Sequence, residues 1–266
     1  MEPVEKIKLK ELLNVDNITM QFGGLTAVRN FKLKIIPGEL IGLIGPNGAG
    51  KTTIFNMITG IYTPSINKIY FQSQDITGMK PDKIAKVGIA RTFQNIRLLD
   101  NLSVIDNVMI GCHLHIKSSL VSAILGLPGY ISEEKSIHDK SMELLGKVEL
   151  EKFKEEKAGS LPYGQQRKLE IVRALATGPK LLLLDEPAAG MNPQETKDLM
   201  SFIQKIQDDF NLTILLIEHD MKVVMGICRR ILVMDYGITI AEGNPTEIQN
   251  NPEVIKAYLG VDATYA

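Results

Sequence analysis

Gly45-Pro46-Asn47-Gly48-Ala49-Gly50-Lys51-Thr52 is the stretch that decides the fold, because it matches the phosphate-binding pattern G-x-x-x-x-G-K-S/T. The apolar run 40–44 before it predicts a strand, and residues 51–59 after it predict a helix. Glycines let such a loop wrap closely around the phosphates of a nucleotide, and the helix N-terminus adds favourable partial positive charge. We expect an exposed Lys51 to neutralise the β- and γ-phosphates and the Thr52 hydroxyl to ligate Mg²⁺.

A pair of carboxylates follows a second apolar run. Residues 181–184 are four leucines that predict a buried strand, and Asp185, Glu186 and Pro187 come directly after them. Ligands bind at the carboxyl edge of open α/β sheets, and neighbouring side chains of a strand point in opposite directions. We therefore expect Asp185 to hold Mg²⁺ and Glu186 to act as the general base for a water that attacks the γ-phosphate.

Three further features gain meaning from this pair and the phosphate loop. The Gln94 amide could reach Mg²⁺ and the attacking water, and His219 follows the apolar run 212–217, which predicts an imidazole at the sheet edge that carries Glu186. Leu161-Pro162-Tyr163-Gly164-Gln165 opens a predicted helix, whose first N–H groups would form a second anion site. Each feature alone would indicate only a loop residue or a helix cap.

In this order the motifs resemble those of an ATP-binding cassette, the nucleotide-binding subunit of an ABC transporter. The resemblance implies the Walker A loop at residues 45–53, ending in Thr53, the Q-loop at Gln94, the signature at residues 161–165, the Walker B pair at Asp185 and Glu186, the switch histidine at His219, and adenine stacking on Phe22. Residues 161–171, 188–193 and 217–221 are similar to cassettes of branched-chain amino-acid importers. Cassettes of urea and amide importers are the alternative, since they share these sequence motifs.

Two departures from the family pattern concern the surface that would meet a second cassette. Pro162 replaces the signature serine whose hydroxyl would contact the γ-phosphate of a partner subunit, and Tyr163 replaces a glycine. Asn192, after Met191, replaces the aspartate of the D-loop. We therefore expect a heterodimer with a second cassette that has a regular signature, and a homodimer is the alternative.

The predicted fold is an α/β P-loop NTPase of the ABC ATPase type, with a RecA-like parallel-sheet core, an N-terminal antiparallel β-region and a helical insertion. Strands are predicted at residues 31–36, 40–44, 66–71, 181–184, 212–217 and 231–234, and helical patterns lie between the later ones. We assign a single domain over residues 1–266. Residues 1–94 and 166–250 form the catalytic core, 95–165 the helical subdomain and 251–266 a C-terminal extension.

Composition limits the partners and the compartment. The 30 Lys and Arg residues balance 31 Asp and Glu residues, so the net charge of −1 argues against nucleic-acid binding. Two cysteines fit a reducing cytoplasm, the N-terminus lacks the apolar region of a signal peptide, and no run approaches the ~18 to 20 apolar residues of a membrane helix. With the resemblance, this implies a peripheral protein on the cytoplasmic face of the inner membrane.

The resemblance further implies ATP and Mg²⁺ as cofactors, integral-membrane permease subunits as direct partners, and an extracytoplasmic solute-binding protein as an indirect one. One competing class is a soluble cassette ATPase that acts on ribosomes or DNA. Such proteins carry tandem cassettes or coiled-coil arms, and this sequence has neither. A small-molecule kinase would need an acceptor pocket in place of Gln94, the signature and His219.

Overall fold

The computed structural model describes residues 11–116 and 127–259. Its strands, in chain order, are β1 (Leu13–Phe22), β2 (Leu25–Ile35), β3 (Leu40–Ile44), β4 (Ile66–Phe71), β5 (Gln74–Asp75), β6 (Ile89–Arg91), β7 (Leu181–Asp185), β8 (Thr213–Ile217), β9 (Arg230–Asp235) and β10 (Ile238–Gly243). The α-helices are α1 (Lys51–Ile58), α2 (Pro81–Val87), α3 (Val104–Cys112), α4 (Pro128–Lys147), α5 (Tyr163–Ala176), α6 (Pro193–Phe210), α7 (Met221–Ile227), α8 (Pro245–Gln249) and α9 (Pro252–Leu259).

The strands form two sheets. One is antiparallel, with the order β2-β1-β4-β5, and the other has the order β10-β9-β3-β8-β7-β6. In the second sheet all pairs are parallel except that of β9 with β10. The central strands β3, β7 and β8 are buried at every position, as their unbroken apolar runs predict for a sheet covered on both faces. The predicted fold class is confirmed.

The first strand of the chain was not predicted, and its backbone explains why. Asn17 has a φ of 50°, and the register of β1 with β2 shifts between Val15 and Ile18. Such a bulge interrupts the alternation of apolar and polar residues that marks a strand. The strand predicted at 31–36 is the end of β2, which begins at Leu25 and has a second left-handed residue at Asn30.

The helical region packs on the parallel sheet through one continuous apolar core. Val108 of α3, Leu145 of α4 and Val172 of α5 are buried in the cluster that contains Leu182 and Leu216 of the sheet. Helix α5 packs against α3 and runs past residue 165 to Ala176, so the predicted boundary of the helical subdomain falls inside α5. Among the helices in the described ranges, none is long and apolar enough to cross a membrane.

Helix α6 shows what Asn192 does in this chain. The Asn192 side chain accepts hydrogen bonds from the backbone N–H groups of Gln194 and Glu195. The Glu195 side chain in turn accepts a hydrogen bond from the Asn192 N–H. This capping box satisfies orphan donors at the start of α6, with Pro193 in its first turn. Asn192 therefore keeps a structural role although it lacks the charge of the family aspartate.

Candidate active site

The phosphate loop connects β3 to α1 through glycines in left-handed conformations. Gly50 has a φ of 100°, and a Cβ at this residue would lie 2.7 Å from the Ala27 carbonyl oxygen. A Cβ at Gly45 would overlap the carbonyl of Met234. No side chain caps the first turn of α1, so its N–H groups remain available to an anion. The loop thus has the backbone conformation that phosphate binding requires.

The expectation that the Lys51 side chain is exposed was wrong. Lys51 is only 5% exposed, and its Nζ donates to the carbonyl oxygens of Gly45 at 2.6 Å and Pro46 at 2.9 Å. Burial lowers the pKa of Lys51, while the charges of Glu186 and Asp185 oppose that shift. The ammonium bonds two carbonyls of the loop, and a phosphate would be a third partner for it. Thr52, in contrast, is exposed.

Glu186 lies one residue beyond β7, where the backbone turns. Its φ is 48°, and its N–H donates to the Ile217 carbonyl at the end of β8. Its two carboxylate oxygens have separate partners, since Gln94 Nε2 donates to Oε2 at 2.7 Å and His219 Nε2 lies 2.5 Å from Oε1. Three predicted catalytic residues therefore meet, although Gln94 and His219 are distant from Glu186 in the sequence.

The Asp185 carboxylate forms a buried ion pair. Its Oδ2 lies 2.6 Å from Arg91 Nη2, and both side chains are 6% exposed. The Arg91 guanidinium also donates to Asn56 and lies 5.0 Å from the centre of the Phe93 ring. Arg91 was missed by sequence reasoning, because a single arginine before an aromatic residue carries no signal by itself.

Glu218 supports the position of His219 and of the turn after Glu186. It is buried, its Oε1 accepts from the Ala188 N–H at 2.7 Å, and its Oε2 accepts from the His219 N–H at 3.2 Å. Burial raises the pKa of Glu218, and these backbone donors counteract the shift. Glu218 was not predicted, because a single glutamate after a strand carries no signal by itself.

Two adjoining cavities surround the loop. The first, of about 460 Å³, is lined by residues 25–27 and 47–53 with Glu186, His219 and Tyr236. The second, of about 580 Å³, is lined by Gly45, Pro46, Asn47, Gln94, Glu186, His219, Ala257 and Tyr258. Tyr236 and Tyr258 were not predicted, since neither belongs to a motif. Glu186 and His219 line both cavities, so these two predicted catalytic residues lie beside the phosphate loop.

Not all predicted site residues line these cavities, and Asp185, buried in its pair with Arg91, lines neither. Phe22 is partly exposed and its ring packs edge-on against Tyr62, 5.2 Å away, while neither cavity includes it. Among the described residues that line the two cavities, none belongs to the signature at 161–165. The signature instead lies at the start of α5, where Pro162 and Tyr163 are exposed.

This arrangement defines the class of the protein. A parallel sheet presents a phosphate loop, a carboxylate beside that loop, and an amide and an imidazole bonded to the carboxylate. An antiparallel β-region and a helical insertion flank the sheet. These features are those of a P-loop ATPase of the ABC type.

The sequence comparisons identify the family. Residues 28–189 match the family "ABC transporter", and residues 239–264 match the family "Branched-chain amino acid ATP-binding cassette transporter". The chain is 46% identical over 249 residues to the high-affinity branched-chain amino acid transport ATP-binding protein LivG of Escherichia coli K12, and 44% identical over 251 residues to BraF of Pseudomonas aeruginosa. Each alignment covers 94% of this chain and 98% of the relative. The chain belongs to the ABC transporter family, in the branched-chain amino acid group.

Solved structures agree with this assignment. A crystal structure of the ADP conformation of an ATP-binding cassette of an ABC transporter superposes with a TM-score of 0.82 at 32% identity, covering 94% of this chain and 99% of the other. A nucleotide-free cassette gives a TM-score of 0.81 at 33% identity. The resemblance inferred from the motifs is confirmed, and the chain is a nucleotide-binding ATPase subunit of an ABC transporter.

Proposed function

We propose that this protein hydrolyses ATP to drive an importer of branched-chain amino acids. The observation that carries the proposal is the Glu186 carboxylate, which Gln94 and His219 hold beside the phosphate loop. Glu186 accepts a proton from the attacking water, while Lys51 and the first-turn N–H groups of α1 bind the β- and γ-phosphates. The identity to LivG and BraF, which are named for branched-chain amino acid transport, supports the choice of solute.

We further propose that Mg²⁺ accompanies the nucleotide, and the residues present fit this ion. Thr52 presents an exposed hydroxyl, Asp185 has a second carboxylate oxygen outside its pair with Arg91, and Gln94 uses its Nε2 for Glu186 and keeps its amide oxygen. Hydroxyl, carboxylate and carbonyl oxygens are the ligands that Mg²⁺ takes together with phosphates. When bound, the ion neutralises charge that develops on the phosphate oxygens.

A groove between the helical region and the parallel sheet is the proposed docking site for an integral-membrane permease. It has a volume of about 340 Å³ and lies between α2 and β6 on one side and α3 and α5 on the other. Ile61 and Ile110 line it and are 46% and 41% exposed, so the groove offers exposed apolar side chains to a partner. Arg91 lines the groove and also pairs with Asp185, so a single side chain connects the groove to the Walker B carboxylate.

In this proposal the signature of the chain contacts a nucleotide that is bound to a second cassette. Residues 161–165 lie outside the cavities around their own phosphate loop, so they are available to the nucleotide of another subunit. Because Pro162 has no hydroxyl, a partner with a regular signature binds this chain better than a second copy does. The assembly lies at the cytoplasmic face of the inner membrane, and a solute-binding protein reaches it through the permease.

Transport by the reconstituted complex tests the proposal. The chain is co-expressed with its permease subunits and second cassette, placed in proteoliposomes, and supplied with the solute-binding protein, ATP and labelled leucine. We expect ATP-dependent leucine uptake that is lost in the Glu186→Gln variant. Uptake of urea in place of leucine would instead support the urea and amide alternative.

The docking groove has its own matched pair of variants. Ile110→Glu should prevent co-purification with the permease, and Ile66→Glu, which changes an exposed isoleucine on β4, should not. Both should retain the ATP affinity of the wild type. A permease that co-purifies equally with both variants would show that docking takes place elsewhere.

A further inference from the structure

A closed chain of hydrogen bonds runs from the general base to the helical region and back. Gln94 Nε2 donates to Glu186 Oε2 at 2.7 Å, and the Gln94 carbonyl accepts from Arg167 Nη2 at 2.6 Å. Arg167 Nη2 also lies 3.3 Å from the Tyr163 hydroxyl, which donates to the Ala189 carbonyl at 2.9 Å. The Ala189 N–H donates to the Glu186 carbonyl at 3.2 Å and closes the ring.

Arg167 is the rigid member of this ring. Its side chain is fully buried, and it makes further bonds to the Phe93 carbonyl at 2.7 Å and to Glu170 Oε2 at 2.8 Å. A buried guanidinium that leaves these partners cannot replace them with water, so it holds the Gln94 backbone in one place. Burial raises the pKa of Glu170, and the charge of Arg167 counteracts that shift.

The turn after Glu186 needs such support because its backbone is strained. Glu186 has a φ of 48°, a conformation that costs a non-glycine residue free energy and persists only where surrounding contacts enforce it. Glu218 holds one side of the turn through the Ala188 N–H, and Tyr163 holds the other side through the Ala189 carbonyl. The hydrogen bond from Tyr163 to the Ala189 carbonyl therefore links this turn to the helical region.

We propose that Tyr163 is a positioning residue for ATP hydrolysis. Its hydroxyl couples the position of α5 to the turn that carries Glu186, so the carboxylate is correctly aimed when α5 is docked against the loop of Gln94. The proposal rests on the role of Glu186 given above. A glycine, the residue of the family pattern at this position, has no side chain to make the link, and the departure at Tyr163 thereby becomes a functional difference.

The Tyr163→Phe variant tests this by removing one hydroxyl and keeping the ring. We expect kcat for ATP hydrolysis to fall about 3- to 10-fold, as for the loss of one neutral hydrogen bond, with KM for ATP unchanged. Tyr70→Phe, which removes a hydroxyl from β4 in the antiparallel sheet, is the matched control and should keep the wild-type kcat. Wild type and Glu186→Gln are assayed in parallel. An active Glu186→Gln protein would refute the proposed role of Glu186, whereas a fully active Tyr163→Phe protein would refute only this inference.

Hydrogen exchange without nucleotide separates positioning from any contact of Tyr163 with the ATP of a partner subunit. In the nucleotide-free protein, Tyr163→Phe should raise amide exchange at residues 188–190 and 94–97 and leave β3 and β8 unchanged. Tyr70→Phe should alter neither of the first two segments. A lowered kcat with wild-type exchange in both segments would overturn the inference, because the hydroxyl would then act through the partner's nucleotide.

Discussion

The exchange of Pro162 for serine tests how the signature of this chain works, and it has two separable effects. Pro162 is the N-cap of α5, and no side chain caps this helix. A serine at an N-cap accepts a hydrogen bond from the first turn, which stabilises a helix by ~0.5–2 kcal/mol. The Pro162→Ser variant should therefore unfold at a higher temperature than the wild type, without nucleotide and as a monomer.

The second effect needs ATP and a second cassette. A hydroxyl bonded to a charged phosphate contributes ~1.5–3 kcal/mol, and a homodimer contains two such sites, which gives roughly 3–6 kcal/mol for self-association. Since each 1.4 kcal/mol is a factor of ten, the dimer Kd should fall by about two to four orders of magnitude. The two effects are distinguishable because only the second depends on nucleotide.

Sedimentation velocity with ATP and Mg²⁺ measures the self-association, with the Glu186→Gln change in every protein to prevent turnover. We expect the Pro162 protein to be mainly monomeric and Pro162→Ser to dimerise. Pro162→Ala, which removes the ring without adding a hydroxyl, should stay monomeric. A tight homodimer of the Pro162 protein at low micromolar concentration, unimproved by serine, would refute the reasoning and remove the need for a heterodimer.

Three further variants address the phosphate site. Lys51→Ala should abolish ATP binding in isothermal titration and lower the unfolding temperature, because the ammonium also bonds the carbonyls of Gly45 and Pro46; wild-type affinity in the folded variant would contradict the loop assignment. Glu186→Gln should retain ATP binding and lose ~10²- to 10⁴-fold in kcat, and unimpaired turnover would pass the role of base to another group. Arg91→Ala leaves the buried Asp185 charge unpaired, so urea unfolding should show a loss of ~3–5 kcal/mol, which the added change Asp185→Asn should partly restore; no recovery would show that the ion pair is not the cause.

Local pattern was sufficient wherever the chemistry is local. The strands at 40–44 and 66–71 have the predicted bounds, and α1 begins at Lys51 as expected. A phosphate loop needs glycines and a lysine at fixed spacing on a strand-loop-helix unit, so its sequence is sufficient to predict its conformation. The family resemblance extended the prediction from the phosphate loop to the other motifs.

Pattern failed where a backbone irregularity or a long-range contact decides the outcome. Strand β1 was not predicted, because the bulge at Asn17 breaks the alternation of apolar and polar residues. The pairing with β2 that continues beyond the bulge is not visible in the local sequence. Lys51 was expected to be exposed, yet it is only 5% exposed and bonds two loop carbonyls.

The sequence by itself therefore determined the P-loop fold and the nucleotide-binding family, and it predicted which residues act on the nucleotide. Only the tertiary structure decided how those residues are held. Arg91 meets Asp185 across 94 residues, Gln94 meets Glu186 across 92, and Tyr163 meets Ala189 across 26. The physical reason is that a motif reports the chemistry of a short segment, whereas the partner of a side chain depends on which strands and helices pack together.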